Sequence, residues 1–222
     1  MNTLSNFVPT SEAAYIAGIS DRDMNRVMDE HILPDVLFQG ASGRSFARLG
    51  AAFASFYFET EDIFSAQFRR NIVSELTSRV EKRSDKEDVF SLSSMPKDAD
   101  WHIDVSRVTS VNVADFVDAA LGRTRQIEQA NSLVETDPKK MGGQPVFTGT
   151  RLPIANILSS LDSGIDLDRM QASYPFLTDA HINAARVYNR VHPKRGRPAK
   201  LAESNPEWTV KSSRVVRPAT PT

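Results

Sequence analysis

Residues 10–34, TSEAAYIAGISDRDMNRVMDEHILP, run into DVLFQGASGRSFA at 35–47, and the reading of these two stretches decides the N-terminal fold. Thr10 or Ser11, following Pro9, offers an N-cap, Ala13, Ala14, Ile16 and Ala17 supply apolar positions, and Gly18 offers a stop, so the pattern predicts a short helix over 10–19. A second helix starts almost at once. Ser20 followed by Asp23 has the form of a capping box, the first turn is acidic, and Met24, Val27 and Met28 fall on one face. Pro34 ends it. Val36, Leu37 and Phe38, a turn over 39–43, and Arg44 to Phe46 then have the length and turn chemistry of a two-stranded wing.

Outward from there, residues 47–58 read as a packed helix of small and aromatic side chains. Ile63, Phe64, Phe68, Ile72, Val73, Leu76 and Val80 recur at spacings of three and four, which predicts a long amphipathic helix over 61–83, with Glu59, Glu61 and Asp62 complementing the dipole at its start. Residues 84–100 carry the Ser, Asp, Lys and Pro of a loop, 101–113 the β-branched residues of a strand, and 114–130 a further helix. From Ser132 the pattern changes. Leu133–Val134 and 145–152 read as the arms of a β-hairpin with Gly142 and Gly143 at its tip, and three helices follow at 154–162, 166–173 and 178–191. Beyond His192, prolines at 193, 198, 206, 218 and 221 among the charges argue for an extended arm.

The fold class expected is mainly α, in an α+β arrangement: a helix-turn-helix domain with wing and long helix at 1–83, a linker with connecting strand and helix at 84–131, a small helical domain behind a hairpin at 132–191, and a basic arm at 192–222.

Composition narrows the function. With 222 residues and 40% apolar content the chain can bury one full-sized core or two small ones. There is no cysteine, hence no disulfide, thiolate metal site or cysteine nucleophile, and a cytoplasmic location is the expectation. No signal-peptide pattern opens the chain, and nowhere do about 18 apolar residues run consecutively, so no membrane partner is expected. The net charge of -1 conceals an asymmetry: residues 192–222 carry seven basic side chains against Glu203 and Glu207, whereas residues 1–191 hold 20 basic and 26 acidic ones. A segregated basic tail meets a polyanion or an acidic pocket.

Three constellations bear on function. The first is the helix, turn, helix and wing of residues 10–46, a plan that lays a second helix in the major groove of DNA, and the segment resembles MerR-like and winged helix-turn-helix domains. Arg22, Asn25 and Arg26 point away from the apolar face, where their geometry suits base edges, and Arg44 and Arg48 at the wing suit phosphates. Residues 1–58 nevertheless hold four arginines against six carboxylates, so a structural helical hairpin or dimerisation module stands beside the DNA reading.

The second is DPKKMGGQPVFTGTRLPIANILSSLDSGIDLDRMQASYPFLTDAHINAARVY, residues 137–188. Its glycines and prolines are largely fold-making, while Arg151 serves either a buried ion pair or a partner contact. Through Asp137-Pro138, Gly142-Gly143, Pro145, Gly149-Thr150-Arg151, Pro153, Gly164, Tyr174-Pro175 and Leu177-Thr178 it resembles a family of small helix-turn-helix-like domains, over about a quarter of the chain. That resemblance implies an antitoxin: members sit beside PIN-domain toxins, and the two-domain form is similar to VapB-type antitoxins paired with VapC ribonucleases. It implies as partners a PIN-domain ribonuclease, operator DNA, and a homodimer or a hetero-oligomer with the toxin.

The third is the tail. Lys194, Arg195, Arg197, Trp208, Arg214 and Arg217 are the toxin-binding candidates together with Arg151, since arginines can pair with the metal-holding carboxylates of a PIN nuclease and Trp208 can anchor the arm. Arg195-Gly196-Arg197-Pro198 also matches the core of an AT-hook that enters the minor groove, and a solvated tail remains the plain alternative. Catalysis finds no set: His31, His102, His181 and His192 are scattered, and HExxH, Walker and Rossmann patterns are absent. The expectation is a protein without cofactor or enzymatic activity. The alternative is a stand-alone regulator whose C-terminal half oligomerises or senses a ligand.

Overall fold

The computed structural model describes residues 7–40, 43–93 and 98–193. It is mainly helical, with three small antiparallel sheets.

Strand β1 (Phe7–Pro9) leads into α1 (Thr10–Ala17), whose N-cap position is Pro9 rather than a hydroxyl residue. Ser11 is buried and bonds elsewhere. Gly18 ends α1 at φ 73°, the left-handed conformation that lets its N–H reach back to the Tyr15 carbonyl. Helix α2 (Asp21–Asp29) is capped as expected, the Ser20 hydroxyl accepting from the Asp23 N–H at 3.0 Å. Beyond it, Asp35–Leu37 is a 3₁₀ turn, with the Leu37 N–H bonded to the Pro34 carbonyl and the Leu37 side chain fully buried. The first arm of the hairpin is thereby shortened to β2 (Phe38–Gln39). It pairs with β3 (Ser45–Ala47), and β1 closes the other edge of β3, with Val8 and Phe38 both opposite Phe46. The sheet therefore has three strands, one more than the hairpin alone.

Helix α3 (Arg48–Glu59) is buried almost throughout. The long helix is α4 (Ala66–Glu81), shorter than its periodicity suggested, because Thr60 and the Ser65 cap break the chain between α3 and α4. Ile63 is 71% exposed in that break, and Glu59 lies at the end of α3, accepting from the Ser55 hydroxyl.

Residues 84–131, read from composition as a linker with connecting strand and helix, pack into the N-terminal core. They form α5 (Lys86–Ser91), the hairpin β4 (His102–Asp104) and β5 (Ser110–Asn112), and α6 (Ala114–Leu133). Val89, Phe90, Trp101, Val117 and Ile127 join Ile16, Phe46, Phe53 and Leu76 in one apolar cluster, Trp101 meeting the Phe53 ring edge-on at 6.1 Å. The loop signal of 84–100 hid a helix because a polar surface and a buried Val89-Phe90 pair coexist in six residues.

The C-terminal unit has the expected hairpin and three helices, but the hairpin arms are shorter and shifted: Leu133 is the last residue of α6 rather than part of a strand, and of residues 145–152 only Val146–Phe147 is extended in a strand. Strands β6 (Val134–Glu135) and β7 (Val146–Phe147) pair, and α7 (Ile154–Asp162), α8 (Leu167–Ser173) and α9 (Asp179–Val191) close a second cluster around Phe147, Ile154, Ile157, Met170, Leu177 and Ile182. Helix α9 serves both cores: Ile182 and Ala185 face the second, while Val187 and Val191 pack on the first. The Ser11 hydroxyl donates to the Val191 carbonyl at 2.7 Å, so α1 is tied directly to the end of α9.

Candidate nucleic-acid and partner surfaces

On α2, the apolar Met24 and Val27 face inward and the predicted polar residues lie outward. Their partners alter what they can do. Arg26 is held by two carboxylates of its own helix, Asp23 at 3.3 Å and Glu30 at 2.7 Å, and its guanidinium lies 5.3 Å over the Phe58 ring. Arg44 forks onto Asp29 at 2.8 Å and reaches the Asn25 side-chain oxygen at 3.1 Å. The Asn25 amide N–H groups have no acceptor among the described residues and can donate to another partner. The Ser20 hydroxyl, with help from Arg26, holds the Asp23 carboxyl below its ordinary value, and Arg26 does the same for Glu30. These acids stay ionised at neutral pH, and Arg22 is left as the exposed α2 cation with no hydrogen bond or ion pair among the described residues.

Arg48 departs from its predicted role. It is buried, paired with Glu12 at 3.1 Å and 3.7 Å from Glu128, and cannot meet a phosphate from there. Its position at the start of α3, under α1 and beside α6, turns the side chain inward. Burial is invisible to a reading that counts arginines by type.

In the C-terminal unit the Gly149-Thr150-Arg151 turn is built from within. Gly149 adopts φ 76°, the Thr150 hydroxyl donates to the Phe147 carbonyl at 2.8 Å, and the same oxygen accepts from the Leu152 N–H at 3.1 Å. Glu135 clamps the turn by accepting from the Gly149 N–H at 3.2 Å and from Lys140 at 2.7 Å. Arg151, for which a buried ion pair was one expected role, is exposed and makes no ion pair among the described residues. Met141, Tyr174 and Phe176 are large apolar side chains left exposed on the same unit, and Phe176 stacks edge-on with Phe147 and His181. Lys194, Arg195, Arg197, Trp208, Arg214 and Arg217 lie outside the described residues.

A groove at the seam of the two cores is not legible in the sequence. Helices α1, α6 and α9 line two adjoining open clefts of about 380 and 340 Å³ that share Tyr15 and Gln126. The residues that build it come from three distant segments, and no local spacing joins them. Among the described residues no three His, Asp or Glu side chains gather to hold a metal ion, and no helix is long and apolar enough to cross a membrane.

Residues 134–188 match a family model described as "Protein of unknown function (DUF433)". The chain is 28% identical over 197 residues to "Uncharacterized protein y4eO" of Sinorhizobium fredii (strain NBRC 101917 / NGR234), a similarity covering 89% of this chain and 86% of that protein. It therefore extends well beyond the C-terminal unit. No solved structure matches the chain.

Proposed function

We propose that this protein is a non-catalytic antitoxin: its C-terminal unit and basic arm bind and silence a PIN-domain, VapC-like ribonuclease, and its N-terminal helix-turn-helix and wing bind the operator of its own operon. The observation that carries the reading is the sharing of α9. The unit that matches the family model rests on the first helix of the helix-turn-helix through the Ser11–Val191 bond and on the start of the second through the Arg190–Asp21 pair at 3.3 Å. Partner binding at one end is thereby linked to the pose of α2 at the other.

Arg151 and the exposed Met141, Tyr174 and Phe176 supply a cation and apolar anchors suited to a protein partner. The seven basic side chains of residues 192–222 suit the carboxylate cluster with which a PIN nuclease holds its metal. On DNA, Arg22 and Asn25 are the readers poised to act, while Arg26 and Arg44 must first exchange their carboxylates for phosphate or base edges. A homodimer would present two α2 helices to a palindromic operator.

The test is co-purification of the full chain, and of a chain ending at Val191, with the product of the neighbouring gene, followed by an RNase assay. Inhibition by the full chain and its loss on truncation are expected. If no complex forms, the protein is instead a stand-alone helix-turn-helix regulator, a reading that the seam groove favours because it offers a place for an effector. Arg22→Ala with Arg26→Ala is expected to abolish sequence-specific operator binding and leave toxin inhibition intact, and retained specificity refutes α2 as the reading helix.

A further inference from the structure

We propose that the groove between α1, α6 and α9 is a phosphate-binding site, open either to the DNA backbone or to a free phosphorylated small molecule. Its walls are two facing stripes of donors. Helix α9 contributes Asn183, Arg186 and Arg190 at spacings of three and four, and α6 contributes Arg123, Gln126 and Gln129 at spacings of three, with Tyr15 of α1 between them. Among the described residues no carboxylate lines either cavity. Residues 1–191 as a whole carry six more acids than bases, so Arg186 on the first cavity and Arg123 and Arg190 on the adjoining second, with Asp21 as a nearby counter-charge through Arg190, mark a local reversal of sign.

The donors are available. Arg186 is exposed and has no hydrogen bond or ion pair among the described residues. Arg123 uses one nitrogen to donate to the Ile16 carbonyl at 2.9 Å, and the rest of its fork makes no hydrogen bond or ion pair among the described residues. The Tyr15 hydroxyl donates to the Gln126 side-chain oxygen at 2.7 Å, and the Gln126 amide N–H groups have no acceptor among the described residues. Gly18 makes room for the arrangement: a Cβ there would stand 2.7 Å from the Arg123 guanidinium. Each cavity sets guanidinium forks beside amide donors, Arg186 with Asn183, Gln126 and Gln129 in the first and Arg123 and Arg190 with Gln126 in the second, a donor set that suits a tetrahedral dianion accepting on several oxygens. A volume of about 380 Å³ lies at the small end of ligand sites.

The position adds a consequence. A phosphate held here touches α9 of the second core and the α1–α2 turn of the first, so its occupancy reports on, and biases, how the two cores sit together. The basic arm that follows α9 is of the wrong sign to occupy the groove itself.

The test uses the full chain and its Arg186→Glu and Arg186→Ala variants, since Arg186 has no structural partner whose loss would unfold the protein. A fluorescent operator-length duplex is titrated over a salt series, and inorganic pyrophosphate is titrated by calorimetry at constant ionic strength with chloride as control. If the source is DNA, Arg186→Ala lowers the slope of log K against log salt by about 0.9, one phosphate contact, while the untouched arm contributes equally in both proteins. If the source is a small molecule, pyrophosphate binds saturably at one per chain and Arg186→Glu weakens it at least tenfold. Equal salt slopes together with unchanged or absent pyrophosphate binding overturn the assignment. Neither arm measures RNase inhibition, so its failure is distinct from failure of the antitoxin reading.

Discussion

Replacing Arg48 by Met separates a structural arginine from a DNA-reading one. The Arg48 and Glu12 side chains are 7% and 11% exposed, so the pair is shielded from water and removing one member leaves a carboxylate buried without its cation. Such a loss costs about 3–5 kcal/mol in general. The Glu128 contact adds little, because at 3.7 Å and with Glu128 45% exposed it is long and screened by solvent. Two nitrogens of Arg48, Nε and Nη1, have no hydrogen-bond partner, so deleting the guanidinium also relieves some desolvation. The lower end of the range, about 3 kcal/mol, is therefore expected, which for a chain of this size lowers Tm by roughly 6–12 °C. In the double variant Glu12→Gln with Arg48→Met, most of that loss is recovered because no unpaired charge remains. Thermal unfolding followed by circular dichroism gives the stability cycle, and operator binding of the folded single variant gives the functional control. An Arg48→Met protein with unchanged Tm and weakened DNA affinity would refute the reasoning, since it would return Arg48 to the phosphate-facing surface.

Two further outcomes follow from the C-terminal unit. Phe147 is fully buried at the centre of the second cluster, so Phe147→Ala is expected to cost about 3–5 kcal/mol, comparable with the whole stability of a unit of ~60 residues. Hydrogen exchange should then show amides of residues 134–188 unprotected while those around Phe53 and Trp101 keep their protection; loss of both together would mean that the shared α9 makes one cooperative unit. Glu135 tests pH. Lys140 and the Gly149 N–H hold its carboxyl below the ordinary value of 4.5, so its contribution to the turn is fully present above that value and disappears as pH falls through the lower folded one. The Gly149 amide of the parent protein should therefore lose its bonded chemical shift on acidification, whereas in Glu135→Gln it should not titrate, and an identical titration in both proteins would remove Glu135 as the clamp.

The local sequence alone determined those features whose physics lies within a few residues. Gly18 ends α1 because the left-handed turn costs a glycine little, Ser20 starts α2 because its hydroxyl reaches the Asp23 N–H, and Gly149 with Thr150 closes the turn before α7. The hairpin and three helices of the C-terminal unit were legible for the same reason, as their caps and breakers sit at the element ends. What only the tertiary structure decided involves partners far apart in the chain. Glu12 and Glu128 draw Arg48 inward, Asp29 occupies Arg44 from across the wing, and Val89, Trp101 and Ile127 convert an expected linker into core. The seam groove needs Tyr15, Gln126 and Arg186 brought together by α9 packing on both cores at once. Charge and polarity can be read residue by residue, but whether a charge faces water, a carboxylate or a ligand depends on which distant surface folds over it.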